Sequence, residues 1–325
     1  MQSFFNRLIF TTLSAAILVV FSEKAYWYIH GYAFLELLLF YFFPTYIFLW
    51  AIEAFRVRRW APLFLSAALY GFLVEGVLAS VLYEDGLLGL FHVSYTSLAW
   101  HALISVLFGW YWLRRLLIQG NDRRIITWSA IFGLFWGLWS LVYWLPENLN
   151  DPELLAGDFI LGMWPVGAFA VFTLLFTAVL AISHLALERG YWQASFKPSR
   201  YEIGFVWLAI IAYFITSIAI AIPFATAKLG ALLALVLLPL WVNRQREPEG
   251  SLLADLAKPV VEKKVVLLFI MPIAAIVVYG LAFMLQPEAD TIRLMSATPL
   301  IYIPTILGGI LFVAAIIFTW RGARD

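Results

Sequence analysis

The stretch APLFLSAALYGFLVEGVLASVLY, residues 61–83, is a continuous apolar run that contains one charged residue, Glu75, near its middle. About 20 predominantly apolar residues are needed for a helix to cross the roughly 30 Å hydrocarbon core of a bilayer. The run therefore predicts a membrane-spanning helix. The next apolar stretch, 88–113, predicts a second helix that carries His101 in its middle.

The composition of the whole chain is that of a membrane protein. Of the 325 residues, 64% are hydrophobic and only 13% are charged, and the mean hydropathy is +0.91, whereas soluble domains are about half apolar. The absence of cysteine excludes thiol catalysis, iron–sulfur ligation and disulfides. We expect the lipid bilayer as a partner, and nucleic acid is not an expected partner.

Ten segments are long and apolar enough to count as spans, so the sequence predicts an all-α, polytopic transmembrane helix bundle. The chain 1–325 then forms a single integral membrane domain. The approximate spans are 6–28, 33–55, 61–84, 88–113, 125–145, 158–187, 203–225, 229–243, 264–286 and 298–320. The eighth span is the shortest, contains Pro239 and follows the seventh after only three residues. The two form either two crossings or one broken hairpin, which leaves nine crossings as the alternative.

Segment 244–263, between the eighth and ninth spans, is expected to be a cytoplasmic linker. It places Leu252, Leu253 and Leu256 on one side ahead of Pro259. This pattern is typical of a short amphipathic helix that lies on the membrane surface, and the alternative is a plain linker.

The basic residues predict the orientation of the bundle, because Lys and Arg are enriched in cytoplasmic loops. With both termini in the cytoplasm, all but three of the 21 Lys and Arg residues lie on the cytoplasmic side. The exceptions are Lys24, Lys228 and Arg293. We therefore expect a multi-pass protein of the plasma (inner) membrane with an even number of crossings.

The two halves of the bundle differ in polarity. The first five spans, 6–145, carry the ionisable residues at mid-membrane depth, whereas the last five, 158–320, are mostly apolar. In the fifth span, Gly133 and Gly137 form a GxxxG pair, which predicts close packing against another helix.

Glu75 and His101 are the strongest site candidates, because an ionisable group at the centre of a membrane helix costs roughly 2.5–3.5 kcal/mol and usually marks a site. The third and fourth spans are joined by a tight turn around Gly86. At 1.5 Å per residue, Glu75 lies roughly 16 Å and His101 roughly 22 Å from this turn, so the two are within one or two helical turns of each other.

The candidate site includes further polar residues. His101 shares a stripe of helical spacing with three serines, so the substrate- or proton-binding candidates are Glu75, His101, Ser94, Ser97, Ser105 and Glu36. In one interpretation Glu75 accepts a proton or binds a cation, and His101 is its partner. In the other, the pair only forms a hydrogen bond that holds two helices together. Catalytic residues and cofactors are unknown.

A second polar group is expected near the outer surface, and its members are His30, Glu36, Glu84, Asp85 and His92. Two imidazoles and several carboxylates suit a divalent metal such as zinc. No fixed spacing joins these residues, so no metal is assigned, and His30, His92, Glu84 and Asp85 are weak candidates. The alternative is ordinary polar residues at the membrane interface.

Transport of a small or amphiphilic solute is the first functional hypothesis, because ten helices with a buried Glu–His pair and no soluble domain fit a secondary carrier. The alternative is an intramembrane enzyme that acts on a lipid or isoprenoid substrate, with Glu75 or His101 as general acid or base. A third possibility is a noncatalytic subunit of a membrane complex. The expected partners are a small-molecule or lipid substrate and other subunits of a homo- or hetero-oligomer.

Overall fold

The computed structural model describes residues 2–25, 34–143, 166–191, 196–285 and 289–322, and the regular structure within these ranges is helical. Ten long helices follow one another along the chain. They are α1 Gln2–Val19, α2 Phe34–Ala54, α3 Trp60–Leu73, α4 Val93–Trp112, α5 Asp122–Tyr143, α6 Val166–Tyr191, α7 Arg200–Phe214, α8 Ala225–Arg246, α9 Ile270–Leu285 and α10 Ala289–Arg321. Each predicted span corresponds to one of them.

Nine helices in the described ranges are long and apolar enough to cross a membrane, so the chain is a multi-pass integral membrane protein. The helix outside this set is α4, which has 20 residues but contains several Ser, Thr and His side chains. The expected fourth span is thus present as a helix, although it is not among the nine. It continues as an α-helix, Leu113–Gln119.

Several helices contain π-helical turns, in which each N–H group bonds to the carbonyl five residues earlier. Such turns extend α1 over Val20–Lys24, α3 over Val74–Leu78 and α7 over Ile215–Ala219. Helix α4 is π-helical over its full length. Because π turns are rare and frequently occur at functional sites, their positions direct attention to the residues they carry.

The seventh and eighth spans are separate helices. Helix α7 and its π-helical extension cover the 20 residues Arg200–Ala219, and α8 covers the 22 residues Ala225–Arg246 with Pro239 inside it. Each is long and apolar enough to cross the bilayer, as the prediction of two crossings expects.

Polar contacts join the ends of several helices at one end of the bundle, which we call the basic end. Arg7 in α1 bonds to Glu202 in α7 at 2.7 Å, and Arg246 in α8 donates to the carbonyl of Trp320 in α10 at 2.5 Å. The residues before α7 share a cavity with the end of α8. The start of α1 and the end of α10 therefore lie at the same end of the bundle.

Burial identifies α3 as the centre of the bundle. The span Trp60–Leu78 is 94% buried within the protein, against 17% for Arg200–Ala219 and 22% for Thr298–Arg321. The apolar helices α7 and α10 thus present most of their surface outward, and polar side chains on α3 are enclosed by protein.

Helix α5 packs on α9 through the predicted GxxxG pair. A Cβ atom on Gly133 would lie 2.2 Å from the carbonyl oxygen of Met271, and one on Gly137 would lie 2.8 Å from that of Ala275. The two backbones are in direct contact, which confirms the close packing that the sequence predicts.

The segment after α8 folds into the basic end. Its short helix, Leu253–Leu256, buries Leu252, Leu253 and Leu256 against the bundle, so these leucines face protein. The fully buried Arg114 at the end of α4 donates to the carbonyls of Leu256 and, at 3.1 Å, of Lys258. The face expected to rest on the membrane surface is thereby covered.

Candidate functional site

Glu75 and His101 are in direct contact inside the bundle. His101 Nε2 lies 2.5 Å from Glu75 Oε1, and the two residues are only 2% and 7% exposed. The close approach of α3 and α4 makes this contact possible, because a Cβ atom on Gly71 would lie 2.3 Å from the carbonyl oxygen of Ser97. Any larger residue at position 71 would push the helices apart.

Glu23 is a second carboxylate at the same site. It lies on the π turn that extends α1, and the hydroxyl of Tyr41 in α2 donates a hydrogen bond to it. It is close enough to Glu75 and His101 to interact electrostatically with both. Glu23 is half-buried, whereas the other three residues are buried.

Two tyrosine rings enclose the histidine. The ring centroids of Tyr41 and Tyr70 lie 6.1 Å and 5.7 Å from that of His101, and Tyr70 is fully buried. Four helices, α1 to α4, thus bring together five ionisable side chains. We call them the interior cluster: Glu23, Tyr41, Tyr70, Glu75 and His101.

Two buried polar atoms at this place have no hydrogen-bond partner among the described residues, His101 Nδ1 and the Ser97 hydroxyl. Buried polar atoms in proteins are nearly always paired with protein groups or water. The interior cluster therefore offers unused donors and acceptors to a water molecule or a ligand. Carboxylates, an imidazole and phenols together can bind a cation or take up and release a proton.

The cluster contains three residues that sequence reasoning missed, Glu23, Tyr41 and Tyr70. Glu23 lies near the end of the first predicted span, where a carboxylate is usual, and the tyrosines are two of 15 in the chain. A sequence indicates where a helix ends, but it does not indicate which of its residues face a neighbouring helix. The sequence does contain one signal for Glu23, because this carboxylate lies inside the predicted span 6–28.

The other predicted residues lie elsewhere. The Ser94 hydroxyl donates to the Thr305 carbonyl in α10 at 2.6 Å, and the Ser105 hydroxyl donates to the Trp100 carbonyl at 2.8 Å. Glu36 is exposed near the start of α2. The predicted serine seam assumed 3.6 residues per turn, whereas the π-helical winding of α4 rotates successive residues to different positions.

Glu84, Asp85 and His92 of the outer polar group form a polar network with Lys228 at the turn between α3 and α4. Lys228 Nζ lies 2.7 Å from Asp85 Oδ1, and His92 Nε2 lies 3.2 Å from Glu84 Oε2. The structure thus brings three of the weak metal candidates together, but the ammonium group of Lys228 lies against the Asp85 carboxylate, where a metal would bind. His30 lies outside the described residues, and within them no group of three His, Asp or Glu side chains is arranged to hold a metal.

The network shifts the pKa of Asp85. Desolvation by burial acts to raise this pKa, but the hydrogen bonds from Lys228 and from the His92 backbone N–H outweigh it. The pKa of Asp85 therefore lies below its ordinary value.

Comparison with known proteins gives no further assignment. The chain matches no protein-family model, no curated protein and no solved structure.

Proposed function

We propose that this multi-pass protein is a secondary transporter of the plasma membrane that moves a small or amphiphilic solute together with a proton. The interior cluster is the site of coupling. The observation that carries the proposal is the convergence of two carboxylates and a histidine from α1, α3 and α4 inside an apolar bundle.

The charges of the cluster favour proton coupling. Two neighbouring carboxylates in surroundings of low dielectric constant repel each other, and the repulsion is relieved when one of them binds a proton or a cation. Glu75 has His101 as a partner at 2.5 Å, and Glu23 has the Tyr41 hydroxyl. The half-buried Glu23 gives the cluster a point of contact with its surroundings.

The cluster also lies on irregular parts of the helices. Glu23, Glu75 and His101 each lie on a π-helical segment. A substrate site between helices near the middle of the membrane is the usual arrangement in carriers that alternate between two open states.

The test measures proton movement driven by solutes. The purified protein is reconstituted in vesicles that contain a pH-sensitive dye, and a panel of amino acids, sugars, organic anions and organic cations is added outside. We expect at least one class of solute to cause proton movement with the wild type. Glu75→Gln and Glu23→Gln keep the shape of each side chain but remove its charge, and we expect each to reduce this movement at least tenfold.

Glu262→Gln is the matched control, because Glu262 is an exposed carboxylate at the basic end. It should transport like the wild type. Normal proton movement in both cluster variants would overturn the role of the cluster. If no solute moves protons, and lipid extracts from cells with and without the gene differ by one species, the enzyme alternative replaces the transporter. Equal lipid extracts and no proton movement would favour the noncatalytic subunit.

A further inference from the structure

A cavity at the basic end lies apart from the interior cluster. It has a volume of about 540 Å³ and is formed by the end of α2, the residues before α7, the end of α8 and the segment that follows α8. This volume is within the range of about 300–1,000 Å³ that is typical of small-molecule sites. The transport proposal gives it no role.

The wall of the cavity is fixed by arginine contacts to one loop. Arg56 donates to the carbonyl of Glu247 at 2.8 Å, and Arg58 donates to that of Glu249 at 2.6 Å. Gly250 permits this approach, because a Cβ atom there would lie 2.6 Å from the Arg58 guanidinium. The loop between α2 and α3 is thereby held against the segment that follows α8.

Arg56 itself has a strained backbone. Its φ angle is 54°, in the left-handed region that residues other than glycine seldom occupy. The Asn243 side chain donates to the carbonyl of Phe55 at 2.9 Å and so helps to hold this conformation. This conformation ends α2, because the Arg56 N–H bonds to the carbonyl of Glu53 at 3.2 Å and the Val57 N–H bonds to that of Ile52 at 2.9 Å, as in a Schellman motif.

Positive charge predominates in the cavity. Arg56, Lys197 and Arg244 line it, and none of them forms an ion pair with a carboxylate in the described part of the chain. Of its two carboxylates, Glu53 accepts a hydrogen bond from the Ser251 hydroxyl at 2.5 Å. Arg56 already donates to a carbonyl and Arg244 lies against a ring, so an anion would meet Lys197 and the remaining N–H groups of the two guanidinium groups, beside the second carboxylate, Glu249.

The depth of the cavity is that of lipid headgroups. Its residues lie at the ends of the spans Phe34–Ala54 and Ala225–Arg246. Trp50 lines it, and Arg244 lies over the ring of the exposed Trp241, 5.6 Å from the ring centre. Tryptophan at this level is typical of the interface between hydrocarbon and water.

We propose that this cavity binds a phosphate-bearing anion, which an anionic lipid headgroup supplies at this depth. Guanidinium and ammonium groups bind phosphate oxygens through charge-assisted hydrogen bonds. Clusters of Lys and Arg next to a membrane span attract anionic lipids, with each residue contributing about 1 kcal/mol, or about fivefold in affinity. Free phosphate has the same chemistry and is the competing source.

The test titrates the purified full-length protein with short-chain phosphatidylglycerol, short-chain phosphatidylcholine or inorganic phosphate, with thermal unfolding as the readout. We expect phosphatidylglycerol to raise the melting temperature, with a Kd that increases about fivefold in Lys197→Gln and in Arg244→Gln. Lys263→Gln and Arg123→Gln remove exposed charges at the same end outside the cavity, and they should bind like the wild type.

A third variant separates the cavity from general charge attraction. Ala54→Phe fills part of the cavity without a change in charge, so we expect it to weaken the binding of phosphatidylglycerol as well. If the phosphate ion alone stabilises the wild type and both charge variants weaken this effect, the site is supported and the lipid source is overturned. Equal Kd values in all variants would overturn the site itself.

Discussion

At the scale of single residues, Tyr83 fixes the position of Glu75. Its hydroxyl donates to the carbonyl of Gly76, next to Glu75 in the π turn, at 2.7 Å. On the opposite side of Glu75, Gly71 brings α3 against the carbonyl of Ser97. These two contacts hold the backbone on both sides of Glu75. They explain how a π turn, with its less favourable hydrogen bonds, is retained in the most buried helix of the bundle.

Asp85 allows a prediction about pH. Because its pKa in the folded protein lies below the ordinary value, ionised Asp85 stabilises the folded state at neutral pH. This contribution is present above the unfolded-state pKa, near 3.8, and is lost as the pH falls through the folded-state pKa. We expect Asp85→Asn to lower the melting temperature from pH 8 down to about pH 5, with the difference from the wild type shrinking steadily as the pH falls below about 4.

Asp255→Asn is the matched control for this measurement. Asp255 also pairs with a lysine at 2.7 Å, but both side chains are more than half exposed, at 76% and 60%. Exposed ion pairs contribute little to stability, so its melting temperature should follow that of the wild type at every pH. A difference between Asp85→Asn and the wild type that stays constant down to pH 3 would show that the charge of Asp85 is not responsible.

At the scale of helices, the sequence predicted the approximate ranges of the ten long helices, because the thickness of the bilayer determines how long an apolar run must be. The proximity of Glu75 and His101 was also predicted, because both lie at similar depth in the hairpin that the third and fourth predicted spans form. The π-helical winding of α4 and the approach of Glu23 could not be predicted. The choice between i→i+4 and i→i+5 hydrogen bonds depends on neighbouring helices, and so does the rotation that turns Glu23 inward.

The contact between α5 and α9 gives a prediction at this scale. We expect Gly133→Ala to destabilise the protein by about 1–3 kcal/mol, because the added methyl group has no space beside the carbonyl of Met271. The free energy of unfolding, measured in detergent with a denaturant, checks this value.

Gly230 in α8 provides the control for the same substitution. A Cβ atom there has no neighbour within 4 Å among the atoms compared, so Gly230→Ala should be neutral or stabilising by up to about 1 kcal/mol through helix propensity. Equal effects of the two substitutions would mean that α5 and α9 are not in backbone contact.

At the scale of the whole molecule, the orientation in the membrane is the prediction to check. The chain contains no cysteine, so each cysteine introduced is a unique label site. With both termini in the cytoplasm, Glu84→Cys should react with a membrane-impermeant maleimide in intact cells. Glu249→Cys, at the basic end, should react only after the membrane is permeabilised. The opposite pattern would invert the orientation, and both residues are exposed enough to react.

Arg114 imposes an order on biogenesis. Its guanidinium donates to carbonyls of His184 and Lys258, which are separated from it by 70 and 144 positions in the chain. At about 5–20 residues per second of synthesis, the second of these acceptors leaves the ribosome roughly 7–30 s after Arg114 itself. Until then Arg114 lacks two of its acceptors, the carbonyls of Leu256 and Lys258. Closure of the basic end around Arg114 is therefore complete only after about four fifths of the chain has been synthesised.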